Sequence, residues 1–376
     1  MINFNKPFLT GNETRYIKQA VKSGKISGDG SFTVKCQNFF EKRYGFTRTL
    51  MTTSCTDALE MAAILIDIKP GDEVIIPSFT FVSTVNAFVL RGAKIVFADS
   101  GIINPNIDEE KLAGLINKRT KAIVVVHYGG VAVDMDKVMK LAGKNKLYVI
   151  EDAAQSIDSY YRGKPLGSLG HLAAFSFHET KNVISGEGGM LVINDRKFIK
   201  RAEIIREKGT NRSAFFRGEV DKYNWVDIGS SFLPSDIISA FLYAQLENLD
   251  KIQKKRILLW ERYYKNLLPL ERSHRIRLPY LPDYATNNGH LFYILCGNLK
   301  QRTELIDWLR SDGICAVFHY LSLHKSQYYR KLYKGVPLKN ADMYSNTLLR
   351  LPMYFELKLT DVDHICSSIK KFYDAI

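Results

Sequence analysis

Three polar stretches of this chain carry residue types that could do chemistry together. The first is Lys181, in Phe175-Ser176-Phe177-His178-Glu179-Thr180-Lys181-Asn182, shortly before Gly186, Gly188 and Gly189. An apolar run leads in, a polar turn carries the lysine, and glycines follow. Such a lysine is either an ordinary solvated loop cation or a buried amine whose lowered pKa suits it to bond a carbonyl carbon. The second is Asp152, in Glu151-Asp152-Ala153-Ala154-Gln155 directly after the apolar Leu147–Ile150. A carboxylate there can cap a helix, bind a metal or pair with a protonated heterocycle, and the small alanines leave room for a flat ring. The third is Thr53-Ser54-Cys55-Thr56, which opens an apolar helical pattern. Its hydroxyls can cap the helix, and the same N-terminus can offer N–H groups to a phosphate.

The elements that must hold these groups are legible as an alternation. Short apolar runs predict strands at Glu73–Pro77, Ala93–Ala98, Lys121–Val126, Leu147–Ile150, Leu172–Phe177 and Met190–Ile193. Between them, helical spacing predicts helices over Thr56–Ile66, Phe81–Leu90, Asp108–Ile116 (with Asp108 as its cap) and Asp134–Ala142. Strands alternating with helices of this length predict an α/β fold with a parallel sheet covered on both faces. Ligands of such sheets collect beyond the carboxyl ends of the strands, where all three polar stretches fall. Residues 1–50 predict helices over Glu13–Ser23 and Thr33–Tyr44, joined by a loop rich in glycine, Gly24 to Gly30, that is either a plain connector or a cover for a ligand. Composition shifts after Leu246: the basic helix Lys251–Leu267, then His290–Leu295, a helix Thr303–Ser311 and Ala316–Tyr320 predict a smaller α+β domain. The expected division is 1–250, a large ligand-binding domain, and 251–376.

Totals exclude some classes. The chain has 376 residues, and none of its apolar runs approaches the roughly 20 residues that span a bilayer. The N-terminal Met1-Ile2-Asn3-Phe4-Asn5-Lys6 has no long apolar signal core, so a cytoplasmic protein without a membrane segment is expected. Five scattered cysteines show no paired spacing for zinc, so reduced thiols and no metal are expected. The net charge of +14 favours anionic partners, but the basic residues are dispersed and no nucleic-acid motif appears.

A phosphate cradle, a carboxylate and a lysine at three strand ends are the complement that pyridoxal 5'-phosphate (PLP) requires: donors for its phosphate, an acid partner for its ring nitrogen, an amine for its aldehyde. Phe79 and Phe81 are either core residues or a face for the ring.

Read as an ordered set, the motifs resemble the DegT/DnrJ/EryC1/StrS family of sugar aminotransferases over nearly the whole chain. The resemblance rests on Ser27-Gly28-Asp29-Gly30, Ser54-Cys55-Thr56, Pro70-Gly71-Asp72-Glu73-Val74-Ile75, Phe79-Thr80-Phe81-Val82-Ser83-Thr84, Glu151-Asp152-Ala153-Ala154-Gln155, the Lys181 stretch, Arg206-Glu207-Lys208-Gly209-Thr210-Asn211-Arg212 and Phe318-His319-Tyr320. It implies PLP fold type I, like aspartate aminotransferase, and a homodimer with shared active sites. By motif position, Lys181 would bond the cofactor, Asp152 would pair with the pyridine nitrogen, and Gln155 would lie near the ring hydroxyl. Phe81 would stack on the ring, and Cys55, Thr56 and Ser176 would hold the phosphate. Ser231, in Ser231-Phe232-Leu233-Pro234-Ser235-Asp236, stands where many members have an asparagine that reaches the partner's phosphate. The implied reaction moves an amino group from L-glutamate to a nucleotide-linked keto-6-deoxy sugar, with dTDP-4-keto-6-deoxyglucose and a 4-amino-4,6-dideoxygalactose product expected. A 3-keto substrate is the alternative. Lys208, Arg212, His319 and Tyr320 are candidate substrate contacts, the first two otherwise being solvated charges. Two rivals remain. In a PLP-dependent sugar dehydratase the lysine is replaced by histidine, and a nucleic-acid-binding protein would use the charge but not the lysine and aspartate.

Overall fold

The computed structural model describes residues 1–375, so Ile376, the last residue of the expected second domain, lies outside the described residues. Nine strands precede residue 200: β1 Arg48–Thr52, β2 Glu73–Pro77, β3 Lys94–Ala98, β4 Thr120–Val126, β5 Tyr148–Asp152, the short pair β6 Tyr160–Tyr161 and β7 Lys164–Pro165, β8 Leu172–Ser176 and β9 Gly189–Ile193. Seven of them form one sheet in the order β1-β9-β8-β5-β4-β2-β3. β3, β2, β4, β5 and β8 run parallel, and β9 is antiparallel to both its neighbours β8 and β1. The strands are buried on both faces, which explains their unbroken apolar runs: helix Cys55–Leu65 packs with strands, and separate apolar clusters fill the two sides of the sheet.

A second sheet follows, built from β10 Phe292–Leu295, β11 Val317–Phe318 and β12 Leu348–Leu351 in the order β10-β12-β11. Helices Leu249–Arg272, Leu299–Ser311 and Leu359–Asp374 cover it around a core that includes Tyr263, Phe292 and Leu305. The first six residues do not stay with the large sheet. Ile2 bridges to Ile314, its N–H donating to the Gly313 carbonyl at 2.8 Å, so the N-terminal arm runs along the second sheet's side of the molecule. Among the described residues no helix is long and apolar enough to cross a membrane.

Three expectations change. The segment after Asp108 is a 3-10 helix, Glu109–Leu115, and the Asp108 side chain does not cap it; Asp108 pairs with Lys111 at 2.7 Å. The Gly24–Gly30 loop is not a cover over this chain's own cavity. It docks on helix Asp236–Leu246, whose Asp236 carboxylate accepts from Thr33 N and Oγ1, both at 2.8 Å. A Cβ on Gly30 would stand 2.3 Å from that carboxylate, which is why glycine is required there. The basic cluster at 251–256 is partly structural: Arg256 is buried and donates to the carbonyls of Gly289 (2.9 Å) and His290 (2.6 Å). Burial pushes its guanidinium pKa down to about 10.

Candidate active site

The strand ends of the large sheet open into a cavity of about 550 Å³, closed on the far side by β12 and the loop after β11. Cys55, Thr56, Phe81, Asp152, Gln155, Ser176, Lys181, His319 and Tyr320 all line it. A larger surface groove, about 880 Å³, lies against edge strand β3 and contains none of these residues.

The turn that carries Lys181 is an excursion between β8 and β9. Phe177 N–H donates to Gly188 O at 2.8 Å, Glu179 N–H to Gly186 O at 2.9 Å, and Lys181 N–H to His178 O at 2.9 Å. The next residue anchors it. Asn182 is buried, its Nδ2 donating to Gln253 Oε1 (2.7 Å) and the Asn288 carbonyl (2.9 Å), while its Oδ1 lies 2.8 Å from His290 Nδ1. Lys181 is half-buried and lines the cavity. Burial drives its pKa down; the positive field of Arg350 adds to this, while the Asp152 carboxylate pulls it back up. A lysine with weakened hold on its proton is the form that attacks a carbonyl carbon.

Asp152 ends β5, and the sheet delivers its carboxylate to the cavity floor. Thr84 Oγ1 donates to its Oδ2 at 2.6 Å and the Ala154 N–H to its Oδ1 at 3.1 Å. Burial raises its pKa, against the pull of those two bonds and of Lys181. Glu151, beside it in sequence, points the other way. It accepts from the N–H groups of Gly167 (2.8 Å), Leu169 (2.8 Å) and Gly170 (2.5 Å) and lies 3.0 Å from His127 Nε2. The acidic pair is thus split between one structural residue and one that faces the cavity. Among the described residues no cluster has the makings of a metal site.

Helix Cys55–Leu65 points its N-terminus at the same floor. Ser54 caps it, its Oγ accepting from Asp57 N–H at 3.0 Å. The Cys55 and Thr56 N–H groups are first-turn donors without intrahelical acceptors, beside the positive end of the helix dipole. Thr56 Oγ1 donates to Ser83 Oγ at 2.9 Å, and Ser176 ends β8 across the gap. Gly189 keeps the cradle open: a Cβ there would lie 2.3 Å from Ser54 O and 2.4 Å from Cys55 N. Burial raises the Cys55 thiol well above its usual range, so Cys55 contributes its backbone and a neutral side chain.

The two phenylalanines separate. Phe79 is core, packed at 5.5 Å on Tyr128 and 5.7 Å on Tyr320, whereas Phe81 is 55% exposed at the cavity. Both ends of the Gln155 amide are engaged: Oε1 accepts from Gly129 N–H at 2.6 Å, and Nε2 donates to Tyr320 Oη at 3.0 Å. His319 stacks on Tyr320 at 3.6 Å. The sequence assigns no site role to Tyr128, Arg350, His290 or Thr84, although Thr84 stands in the motif Phe79–Thr84 and an arginine inside the apolar Leu348–Leu351 is a visible signal.

Lys208, Arg212 and Ser231 are not brought to this cavity. They belong to one exposed excursion, 207–231, tied by bridges Glu207–Ser231 and Thr210–Trp225. Arg212 Nη1 donates to Glu207 Oε1 at 2.6 Å instead. Within a single chain these three face solvent.

The donor set fits PLP: an open cradle of N–H and hydroxyl groups, a buried carboxylate held by a threonine, and an amine of lowered pKa meet in one cavity. This pairing of sheet, cradle and lysine defines a PLP fold type I aminotransferase. Residues 7–370 match the model of the DegT/DnrJ/EryC1/StrS aminotransferase family, and the chain belongs to that family. It is 31% identical to the spore coat polysaccharide biosynthesis protein SpsC of Bacillus subtilis strain 168, over 98% of this chain and 96% of that one. Among solved structures it resembles Helicobacter pylori PseC, an aminotransferase involved in the biosynthesis of pseudoaminic acid, with 27% identity, a TM-score of 0.91 and full coverage of both chains. It likewise resembles the aminotransferase TlmJ from Streptoalloteichus hindustanus, at 27% identity and a TM-score of 0.91 over 100% of this chain and 99% of that one.

Proposed function

We propose that this aminotransferase transfers an amino group from L-glutamate to a nucleotide-linked keto-6-deoxy sugar, with dTDP-4-keto-6-deoxyglucose the first substrate to test, for surface polysaccharide synthesis in the cytoplasm. The observation that carries the reading is the convergence of Lys181, Asp152 and the helix N-terminus at Cys55 in one cavity. The sugar class is supported by the relatives, one acting in polysaccharide synthesis and one in pseudoaminic acid synthesis.

Bound there, PLP would supply an aldehyde for the amine and an electron-withdrawing ring. The chain supplies the rest. Cys55 and Thr56 N–H groups, with Ser176, hold the phosphate. Asp152, steadied by Thr84, keeps a proton on the ring nitrogen. Phe81 covers one ring face. Lys181 Nζ would hold the cofactor and would take the proton from the donor's α-carbon, so one residue would serve as anchor and base. The excursion that holds Lys208, Arg212 and Ser231 belongs in this reading to a homodimer, in which it would reach the partner's cavity.

The test is direct. PLP-loaded protein should lose its visible absorbance on adding L-glutamate and regain it with dTDP-4-keto-6-deoxyglucose, NMR of the product assigning the new amine to C4. Amination of only the 3-keto isomer would move the substrate assignment to that sugar. Turnover surviving in Lys181→Ala would remove the lysine from the mechanism.

A further inference from the structure

Ser78, His324 and Asp342 form a serine–histidine–carboxylate row that the cofactor site does not use. Ser78 Oγ lies 2.7 Å from His324 Nδ1, and His324 Nε2 lies 3.6 Å from Asp342 Oδ1. In other settings such a row activates the serine as a nucleophile. Here Ser78 is fully buried and His324 only 4% exposed, so no substrate reaches the hydroxyl. The row serves something inside the protein.

It joins two loops that come from different sheets. Ser78 directly follows β2, and its N–H donates to Ala98 O at the end of β3 at 3.0 Å. Its carbonyl accepts from Leu323 N–H at 3.0 Å, and its Oγ from His324 N–H at 3.3 Å. The loop after β11 is thus fastened to Ser78 through both backbone and side chain. Just beyond Ser78 come Phe81, at the cavity, and Thr80, whose Oγ1 lies 3.0 Å from Oγ1 of Thr84, the residue that holds Asp152. Just before His324 come His319 and Tyr320, at the same cavity, and the Tyr320 and Phe81 rings stand 6.1 Å apart.

Burial pushes the His324 pKa below the ordinary imidazole value, Asp342 opposing it, so the ring is neutral near neutral pH. Asp342, itself paired with Lys325 at 2.6 Å, favours the ring proton on Nε2. Nδ1 is then left to accept from the Ser78 hydroxyl.

We propose that His324 is a positioning residue for the aminotransferase: held on Ser78, it sets how Phe81 meets the cofactor ring and ties that placement to the loop bearing His319 and Tyr320. This rests on the PLP reading of the cavity and not on the identity of the sugar. Phe81 needs such a fastening, because its ring is 55% exposed and core packing does not hold it. Phe79, between Ser78 and Phe81, is locked in the core, so the position of Ser78 is passed on along the loop.

The experiment uses PLP-loaded enzyme. It reads the visible circular dichroism of the bound cofactor, which reports how the ring faces are covered, beside kcat and KM with L-glutamate. His324→Ala should change the dichroism and lower kcat about three- to tenfold, the range for one lost neutral hydrogen bond, with KM changed less. His324→Asn, whose amide oxygen can stand where Nδ1 accepts, should restore both. His324→Gln, which reaches toward Asp342 instead, should not. In a Phe81→Ala background His324→Ala should cost little further, because the ring it positions is gone. Ser78→Ala carries the same test with a single hydroxyl removed, and decides it even where the histidine variants fail to fold. Dichroism and kcat unchanged in Ser78→Ala overturn the proposal. So does a loss of equal size with and without the Phe81 ring, which would make the row a support of the fold alone. Protein that takes up no cofactor removes the aminotransferase reading, and this proposal with it.

Discussion

The phenolic oxygen of Tyr128 lies 2.5 Å from Nδ1 of His319. Burial raises the Tyr128 pKa well above its usual range, so the phenol keeps its proton and donates it. Burial, then Arg350, Lys181 and His290, push the His319 pKa well below the ordinary imidazole value, so the ring is neutral. With Nδ1 accepting, the ring proton resides on Nε2, and His319 is a fixed neutral donor at the cavity wall. In Tyr128→Phe that tautomer is no longer selected. The expected result is a fall of about tenfold in kcat/KM for the keto sugar, with PLP absorbance and the glutamate half-reaction unaltered. His319 should contribute no ionisation to the wild-type profile above about pH 6.5, because its folded pKa lies below that value. An equal loss in the glutamate half-reaction would mean that Tyr128 supports the site as a whole.

Asp152 is expected to trade stability for function. Its carboxyl pKa is raised in the folded chain, burial being the largest cause. Below the unfolded value of about 3.9 the group is neutral in both states and costs nothing. As pH rises through the raised folded pKa, the folded state gives up its proton less readily than the unfolded one, and stability falls. Asp152→Asn in the cofactor-free protein should therefore melt close to wild type near pH 4 and above it at pH 7. The same variant should lose transamination, since an amide cannot keep the ring nitrogen protonated. Melting curves against pH on cofactor-free protein decide the first claim. An Asn variant less stable at pH 7 than wild type would contradict it.

Gly189 offers a test of the cradle that leaves every polar group in place. Its added Cβ would meet the Ser54 carbonyl and the Cys55 nitrogen well inside contact distance. Both are backbone atoms, so the helix start must move. For Gly189→Ala we expect PLP to bind at least about tenfold more weakly, measured by equilibrium dialysis. Pyridoxal without its phosphate should be affected far less, because the damage is confined to the phosphate end. Equal weakening of both would place the fault elsewhere in the cavity.

What could be read from the sequence divides along physical lines. Strands β2, β4, β5 and β8 were legible because both faces are buried, which leaves apolar runs ended by polar residues. Lys181 and Asp152 stood out because each lies in the polar stretch that follows such a run. The residues that tune them did not. Thr84 reaches Asp152 across 68 positions, and Tyr128 reaches His319 across 191, so no local pattern marks either. Tyr128 reads as one more core aromatic after β4. Phe4 could not be connected with Arg350, whose Cζ lies 4.7 Å from its ring, since an arm that leaves the large sheet for the second one has no periodic signature. Asp108 shows the reverse failure. A cap residue before an apolar pattern predicted an α-helix, but the segment is a 3-10 turn whose aspartate pairs with Lys111 instead.

The excursion 207–231 supplies the last prediction. It exposes Phe216 (69%), Tyr223 (50%), Trp225 (80%), Val226 (51%) and Ile228 (43%) close together in sequence. Apolar surface this concentrated marks a contact in soluble proteins. The proposed homodimer gives it one, and would carry Ser231, at the end of the same segment, toward the partner's phosphate cradle. The Trp225 indole is already turned inward at one atom, Nε1 donating to the Asp227 carbonyl at 2.7 Å, which leaves its apolar face free. Trp225→Asp combined with Val226→Asp should convert a dimer to monomer by light scattering and weaken PLP retention in parallel. Ser231→Ala should leave the dimer intact and weaken PLP by a few fold at most, about 1 kcal/mol for one neutral hydrogen bond. A wild-type chain that is monomeric at micromolar concentration, yet holds PLP and turns over, would remove the excursion from the active site.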